Sequence, residues 1–256
     1  MATALVTGAS AGLGTDFARI LARQKYDLIL VARNEERLTT LATQLAAEHG
    51  VKTYIISLDL SVSGSAETLV KDLKSKGLSV DVLINNAGYG MHGPVVDADV
   101  KTLVGMLQLN IITLTELTRL LLPNMVARKN GRIMNVASVA AFQPGPWMAG
   151  YYASKAYVLS FSEALATELK GTGVTITALC PGPTKTEFFD RAKMASSKMK
   201  EVLFFAESMA CAETGVNAMM QGKSLVVDGV LNRILVQSYR ILPRSFVRFL
   251  AGRLNS

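Results

Sequence analysis

TGASAGLG, Thr7 to Gly14, follows the apolar run ALVT and precedes a stretch in which Phe17, Ala18, Ile20 and Leu21 fall at helical spacing. Glycines in a strand-to-helix turn let the backbone bend tightly and approach a pyrophosphate, while the helix N-terminus offers free N–H groups and a partial positive charge. Alone such a pattern is weak. As the turn of the first β/α unit it predicts a dinucleotide cradle formed by Gly8, Ser10, Gly12, Leu13 and Gly14. The same residues contain GASAG, Gly8 to Gly12, which formally matches the nucleophile elbow of α/β hydrolases. That chemistry needs a histidine after a later acid, and the only histidines are His49 and His92.

Working outward, short apolar runs (ALVT, DLILVA, VKTYIIS, VDVLIN, GRIMNVAS, VTITALC, SLVV) alternate with stretches of helical spacing. In the stretch from Asn34 to His49, Leu38, Leu41 and Leu45 share one face behind an Asn34 cap. Doubly apolar strands separated by helices predict an α/β, three-layer, doubly wound parallel sheet, and no linker divides residues 1–256. The connection from Pro181 to about Ala212 breaks the rhythm. It carries Phe188, Phe189, Met194, Met199, Phe204, Phe205 and Met209, and its length and adaptable side chains predict a lid, over about 183–212, above an apolar substrate.

Half of the residues are apolar and 18% are charged, which argues against disorder. No secretory leader or spanning segment is expected, since the run around Leu120 is broken by Arg119 and Pro123. Cys180, Cys211, His49 and His92 give neither a disulfide framework nor metal-ligand spacing, so no metal and a cytoplasmic home are expected. Of the net charge of +7, residues 229–256 supply five arginines and no acid. This basic extension reads as a solvated helix face, with docking on a membrane surface or a neighbouring subunit as the alternative; no nucleic-acid motif accompanies it.

Cofactor choice is read after the second strand, where an acid would meet a ribose 2′-hydroxyl and a cation a 2′-phosphate. Ala32 and Arg33 stand there, and Arg33 offers a charge-assisted fork to the phosphate of NADP(H). Glu35 and Glu36 come later and suit the first turn of the next helix. In YYASKAYV, Tyr151 and Lys155 lie four apart and share a helix face. A phenol titrates near about 10, and a nearby ammonium is expected to favour its phenolate. Tyr152 has Ala156 at the same spacing and lacks such a partner. Ser138, ending the run GRIMNVAS, falls at the sheet's carboxyl edge, where its hydroxyl can hold a substrate carbonyl. Asn110 interrupts the stripe Leu103, Met106, Leu107, Leu114, Leu117 and is expected to be buried and satisfied.

Taken together, TGASAGLG, NNAG (Asn85 to Gly88), Asn110, Ser138, the Tyr151/Lys155 pair and PGPTKT (Pro181 to Thr186) resemble the short-chain dehydrogenase/reductase family over residues 3 to about 228. The chain looks most like its DltE-like group, itself similar to 3-oxoacyl and 17β-hydroxysteroid reductases. The resemblance implies a seven-stranded parallel sheet and a homodimer or homotetramer. It assigns Tyr151 as the acid, Ser138 as the carbonyl-orienting hydroxyl, and Lys155 as the partner of Tyr151 and of the nicotinamide ribose. Asn110 would hold a water in a proton relay. Asp59 with Leu60 would meet the adenine, Asn86, Ala87 and Gly88 the adenosine side, and Pro181, Gly182, Thr184 and Thr186 the carboxamide region. Leu13 replaces the family's common isoleucine. Met91, His92 and Gly93 have no assigned role.

The reading that results is an NADP(H)-dependent oxidoreductase interconverting a carbonyl and a secondary alcohol, most simply a ketone or 3-oxoacyl reductase. The alternatives are a catalytically silent NADP(H)-sensing protein of the same fold and an NAD-dependent alcohol dehydrogenase.

Overall fold

Every apolar run singled out above becomes a strand in the computed structural model, which describes residues 1–188 and 205–255. They are β1 (Thr3–Thr7), β2 (Asp27–Ala32), β3 (Thr53–Ser57), β4 (Val82–Asn85), β5 (Gly131–Val136), β6 (Val174–Cys180) and β7 (Leu225–Val227). All pair in parallel, in the order β3-β2-β1-β4-β5-β6-β7. The expected three-layer, doubly wound sheet is therefore present. The chain leaves β1 toward β2 and β3 on one side and returns to β4 on the other, so the order reverses between β1 and β4. A crevice opens beyond the carboxyl ends of those two strands.

The helices described are α1 (Gly12–Arg23), α2 (Glu35–His49), α3 (Ser65–Ser75), α4 (Val100–Leu107), α5 (Leu114–Ala127), α6 (Ala149–Glu168), α7 (Ser208–Met220), α8 (Val230–Ser238) and α9 (Arg244–Asn255). Alternation along β1 sends Ala4 and Val6 to one face, against Phe17 and Leu21 of α1, Leu38 and Leu45 of α2, and Val216 of α7. Leu5 goes to the other face, against Leu69 of α3 and Leu117 of α5. Phe17, Leu21, Leu38 and Leu45 are fully buried, each worth roughly 2 kcal/mol of transfer free energy. As expected, Asn34 caps α2 by accepting from Arg37 N at 2.8 Å.

Three local features depart from the sequence reading. β5 stops at Val136, because Ser138 already caps a short 3₁₀ turn over Val139–Phe142, its Oγ accepting from Ala140 N at 3.1 Å. The helical stripe around Asn110 is not a continuous α-helix: Gln108–Thr113 forms a π turn between α4 and α5, a widening that frequently occurs at functional sites. Residues 208–212, read as the end of a lid, begin α7, and Cys211 and Ala212 are fully buried against the α1 side of the sheet. Phe189, Met194, Met199 and Phe204 lie outside the described residues.

Candidate active site

The crevice is a cleft of about 1090 Å³ that runs from the β1–α1 turn to helices α8 and α9. Its nucleotide half is built by glycine. Gly8 adopts φ +68°, a left-handed conformation that side chains disfavour, and its N–H donates to Val31 O at 2.8 Å. A Cβ on Gly14 would lie 2.1 Å from the Gly8 carbonyl oxygen, so only glycine lets α1 meet the turn so closely. The α1 N-terminus has no side-chain cap and no acid in its first turn. Its N–H groups are thus turned to the cleft beside Ser10, Gly12 and Leu13. This cradle fits a phosphate.

Asn86 stitches the opposite wall to that turn. Its side-chain amide donates to Thr7 O at 2.9 Å, and the N–H groups of Asn86 and Ala87 donate to Thr7 Oγ1 at 3.0 Å. Ala87, Gly88, Asp59 and Leu60 continue this wall. Arg33 stands exposed at its end, with Nη1 at 3.7 Å from Asp59 Oδ2. Asp59 also accepts from Ser61 N and Oγ, which together with Arg33 hold its carboxyl below the ordinary range against the opposing effect of burial. Across the cleft lie Pro181, Gly182, Thr184 and Thr186, and a Cβ on Gly12 would come within 3.0 Å of Thr186 Cγ2.

At the centre, Tyr151 and Lys155 project from α6 into the cleft with Ser138 beside them. Burial pushes the Tyr151 phenol well above its ordinary value, and a hydrogen bond with the Ser138 side chain only partly offsets this. The expected depression by Lys155 is not what this geometry gives. Lys155 Nζ lies 5.8 Å from the Tyr151 ring centre and donates to Val136 O at 2.7 Å, while burial lowers its own pKa to about 8. Desolvation outweighs the ammonium, so the phenol is held protonated at neutral pH.

Of all the site residues expected from sequence, only Gly14 and Asn110 do not line the cleft. Asn110 is fully satisfied one layer behind it, as expected of a buried amide. Its Nδ2 donates to Tyr89 O at 3.0 Å and to Ser154 Oγ at 3.1 Å, and its Oδ1 accepts from Tyr89 N at 3.2 Å. Both amide hydrogens are thus engaged within the protein.

Two aromatic side chains expected in the lid take part in the substrate half, beside residues that the sequence reading missed. Phe188 sets its ring 5.1 Å from that of Tyr151, and Phe205 joins the same apolar cluster with Met148 and Tyr152. The basic extension does not simply present a solvated face. Asn232, Leu235 and Tyr239 of the α8 segment and Ala251 and Leu254 of α9 line the cleft. Asn255 is fully buried: its Oδ1 accepts from Tyr152 Oη at 3.4 Å, its Nδ2 donates to Pro146 O at 2.9 Å, and its carbonyl oxygen meets His92 Nε2 at 2.6 Å. Tyr152 and His92, neither given a role above, thus latch α9 over the site. A polar Asn ending an apolar amphipathic helix was the one available signal.

The chain is also similar to known proteins. A family model for short chain dehydrogenases matches residues 2–196. The chain is 37% identical to a short chain dehydrogenase of Pseudocercospora fijiensis over 72% of its own length and 60% of that protein. It is 34% identical to a very-long-chain 3-oxoacyl-CoA reductase of Anas platyrhynchos, over 77% and 64%. It therefore spans about three-fifths of the length of these curated relatives. A solved short-chain dehydrogenase from Sphingobium yanoikuyae, in complex with NADPH, superposes with a TM-score of 0.84 at 29% identity, covering 94% of each chain. These matches establish that the chain belongs to the short-chain dehydrogenase family and is similar to 3-oxoacyl reductases.

Proposed function

We propose that the protein is an NADP(H)-dependent reductase that converts a carbonyl to a secondary alcohol. The observation that carries this reading is a buried Tyr151 that shares a cleft with Ser138 and Lys155, the other end of the cleft being a glycine cradle on an uncapped helix N-terminus. Gly8, Ser10, Gly12 and Leu13 hold the pyrophosphate, Asn86 to Gly88 and Asp59 to Leu60 the adenosine, and Lys155 with Pro181 to Thr186 the nicotinamide end. Arg33 takes the 2′-phosphate. Bound NADPH supplies the hydride to the carbonyl carbon.

The chain's own groups then manage the charge that develops on the carbonyl oxygen. The Ser138 and Tyr151 hydroxyls donate to it, and Tyr151 gives up its proton there. The Lys155 ammonium, 5.8 Å from the Tyr151 ring centre, stabilises the phenolate left behind. Asn110 acts as a positioning residue, fixing Tyr89 and Ser154 around the site. An apolar lining of Met148, Phe188, Leu235 and Leu254 suits a ketone or 3-oxoacyl substrate, in keeping with the names of the relatives. The exposed valines 100 and 104 of α4 support a homodimer or homotetramer, and the buried, unbridged Cys180 and Cys211 a cytoplasmic setting.

One observation favours a second reading, an NAD-dependent alcohol dehydrogenase: Asp59 places a carboxylate against Arg33, where it competes with a 2′-phosphate. NADPH oxidation over a panel of 3-oxoacyl thioesters, steroid ketones and small ketones tests the first reading. Tyr151→Phe is expected to lower turnover by about 10³-fold with NADPH binding retained. Tight NADPH binding without turnover of any carbonyl would instead support a silent cofactor sensor.

A further inference from the structure

Helices α8 and α9 have two different sides. Their inner residues close the cleft, and their outer residues are apolar and cationic. On α9, Val247, Ala251 and Asn255 are buried, whereas Phe246, Phe249 and Leu250, at helical spacing on the other side, are 47%, 54% and 40% exposed. Arg253 falls among them, its guanidinium 4.6 Å from the centre of the Phe249 ring. On α8, Val230, Leu231 and Ile234 are each more than 60% exposed, and Ile241, in the connection to α9, is 87% exposed. Eight of the eighteen large apolar side chains exposed among the described residues thus fall within residues 229–256, where the sequence has five arginines and no acid.

We propose that this outer face docks on the surface of a bilayer containing anionic lipid. An apolar helix face that enters the headgroup boundary, with Arg253 stacked on Phe249 and further arginines along the same segment whose stems can reach lipid phosphates, is the chemistry of an interfacial amphipathic helix. Charge complementarity selects this occupant over a second copy of the chain. A two-fold contact through this face would bring the five arginines of each segment together with no acid in the segment to pair them, a like-charge juxtaposition that opposes association. Docking needs no rearrangement, because the Asn255 latch and the buried side of α9 face away from it.

Co-sedimentation of the full chain with vesicles tests the proposal without reference to turnover. Binding to phosphatidylglycerol/phosphatidylcholine vesicles is expected to exceed binding to pure phosphatidylcholine by about tenfold or more and to weaken with salt. The triple variant Phe246→Ser/Phe249→Ser/Leu250→Ser and the separate charge variant Arg240→Glu/Arg244→Glu/Arg248→Glu are each expected to lose about tenfold or more while melting as the parent does. Absence of the parent from anionic vesicles overturns the proposal, as does parental binding by either variant. A fall in oligomer mass of the serine variant in light scattering would assign the face to a second copy and likewise overturn it.

Discussion

The two halves of the cleft are built on opposite plans. The nucleotide half is a matter of backbone: Gly8 in a left-handed conformation, Gly14 pressed against Gly8 O, and a helix N-terminus without a side-chain cap. The substrate half is assembled from side chains that meet across long stretches of chain, with Asn255 of α9 engaging Tyr152, Pro146 and His92 from three other segments. A backbone cradle tolerates no added atom and accepts one ligand class. A wall of packed side chains can be rebuilt without disturbing the sheet.

The contrast can be broken most severely at Gly14. Adding one methyl there, Gly14→Ala, places carbon 2.1 Å from a backbone oxygen, so α1 must move. We expect a loss of stability of about 3 kcal/mol or more and loss of NADPH binding, read by thermal melting and titration.

Lys155 joins the two halves, and its titration sharpens the comparison. Burial lowers its pKa from 10.5 to about 8. Between those values the unfolded chain retains a proton that the folded chain has released, so stability should rise with pH across this window, by on the order of 3 kcal/mol in all. Turnover should fall over the same interval, because the ammonium is lost as pH passes about 8. Denaturant midpoints and pH–rate profiles should therefore move in opposite directions, and Lys155→Met should remove its share of the stability slope.

Asn255→Leu is expected to have the smallest of these effects, confined to the substrate half. It removes the Asn255 contact from Tyr152 Oη and leaves Pro146 O without its Asn255 donor, costing about 2 kcal/mol, and loosens α9. KM for the carbonyl should rise several-fold while NADPH affinity stays unchanged; an equal change in both would show that the halves are not separable.

What was legible in the sequence follows the same division. The strands and TGASAGLG could be read because their signals are local: apolar runs of strand length, and glycines in a fixed relation to a strand and a helix. The Tyr151/Lys155 spacing was legible for the same reason, but its electrostatics were not. Whether burial or the ammonium governs the phenol depends on desolvation, which no spacing reveals. The π turn at Asn110 was hidden because its stripe keeps helical periodicity on both sides. The latch was hidden because His92 and Asn255 are 163 positions apart, and the arginines of the extension drew attention to its outer face.

The central claim is that Arg33, at the end of the nucleotide half, selects NADP(H), and fluorescence titration of the purified protein with NADPH and NADH tests it most directly. The account predicts tighter binding of NADPH, weakened about tenfold in Arg33→Ala through loss of a charge-assisted contact to the 2′-phosphate, with NADH unaffected. Equal or tighter binding of NADH, unchanged in Arg33→Ala, would contradict it and leave Arg33 as the partner of Asp59 alone.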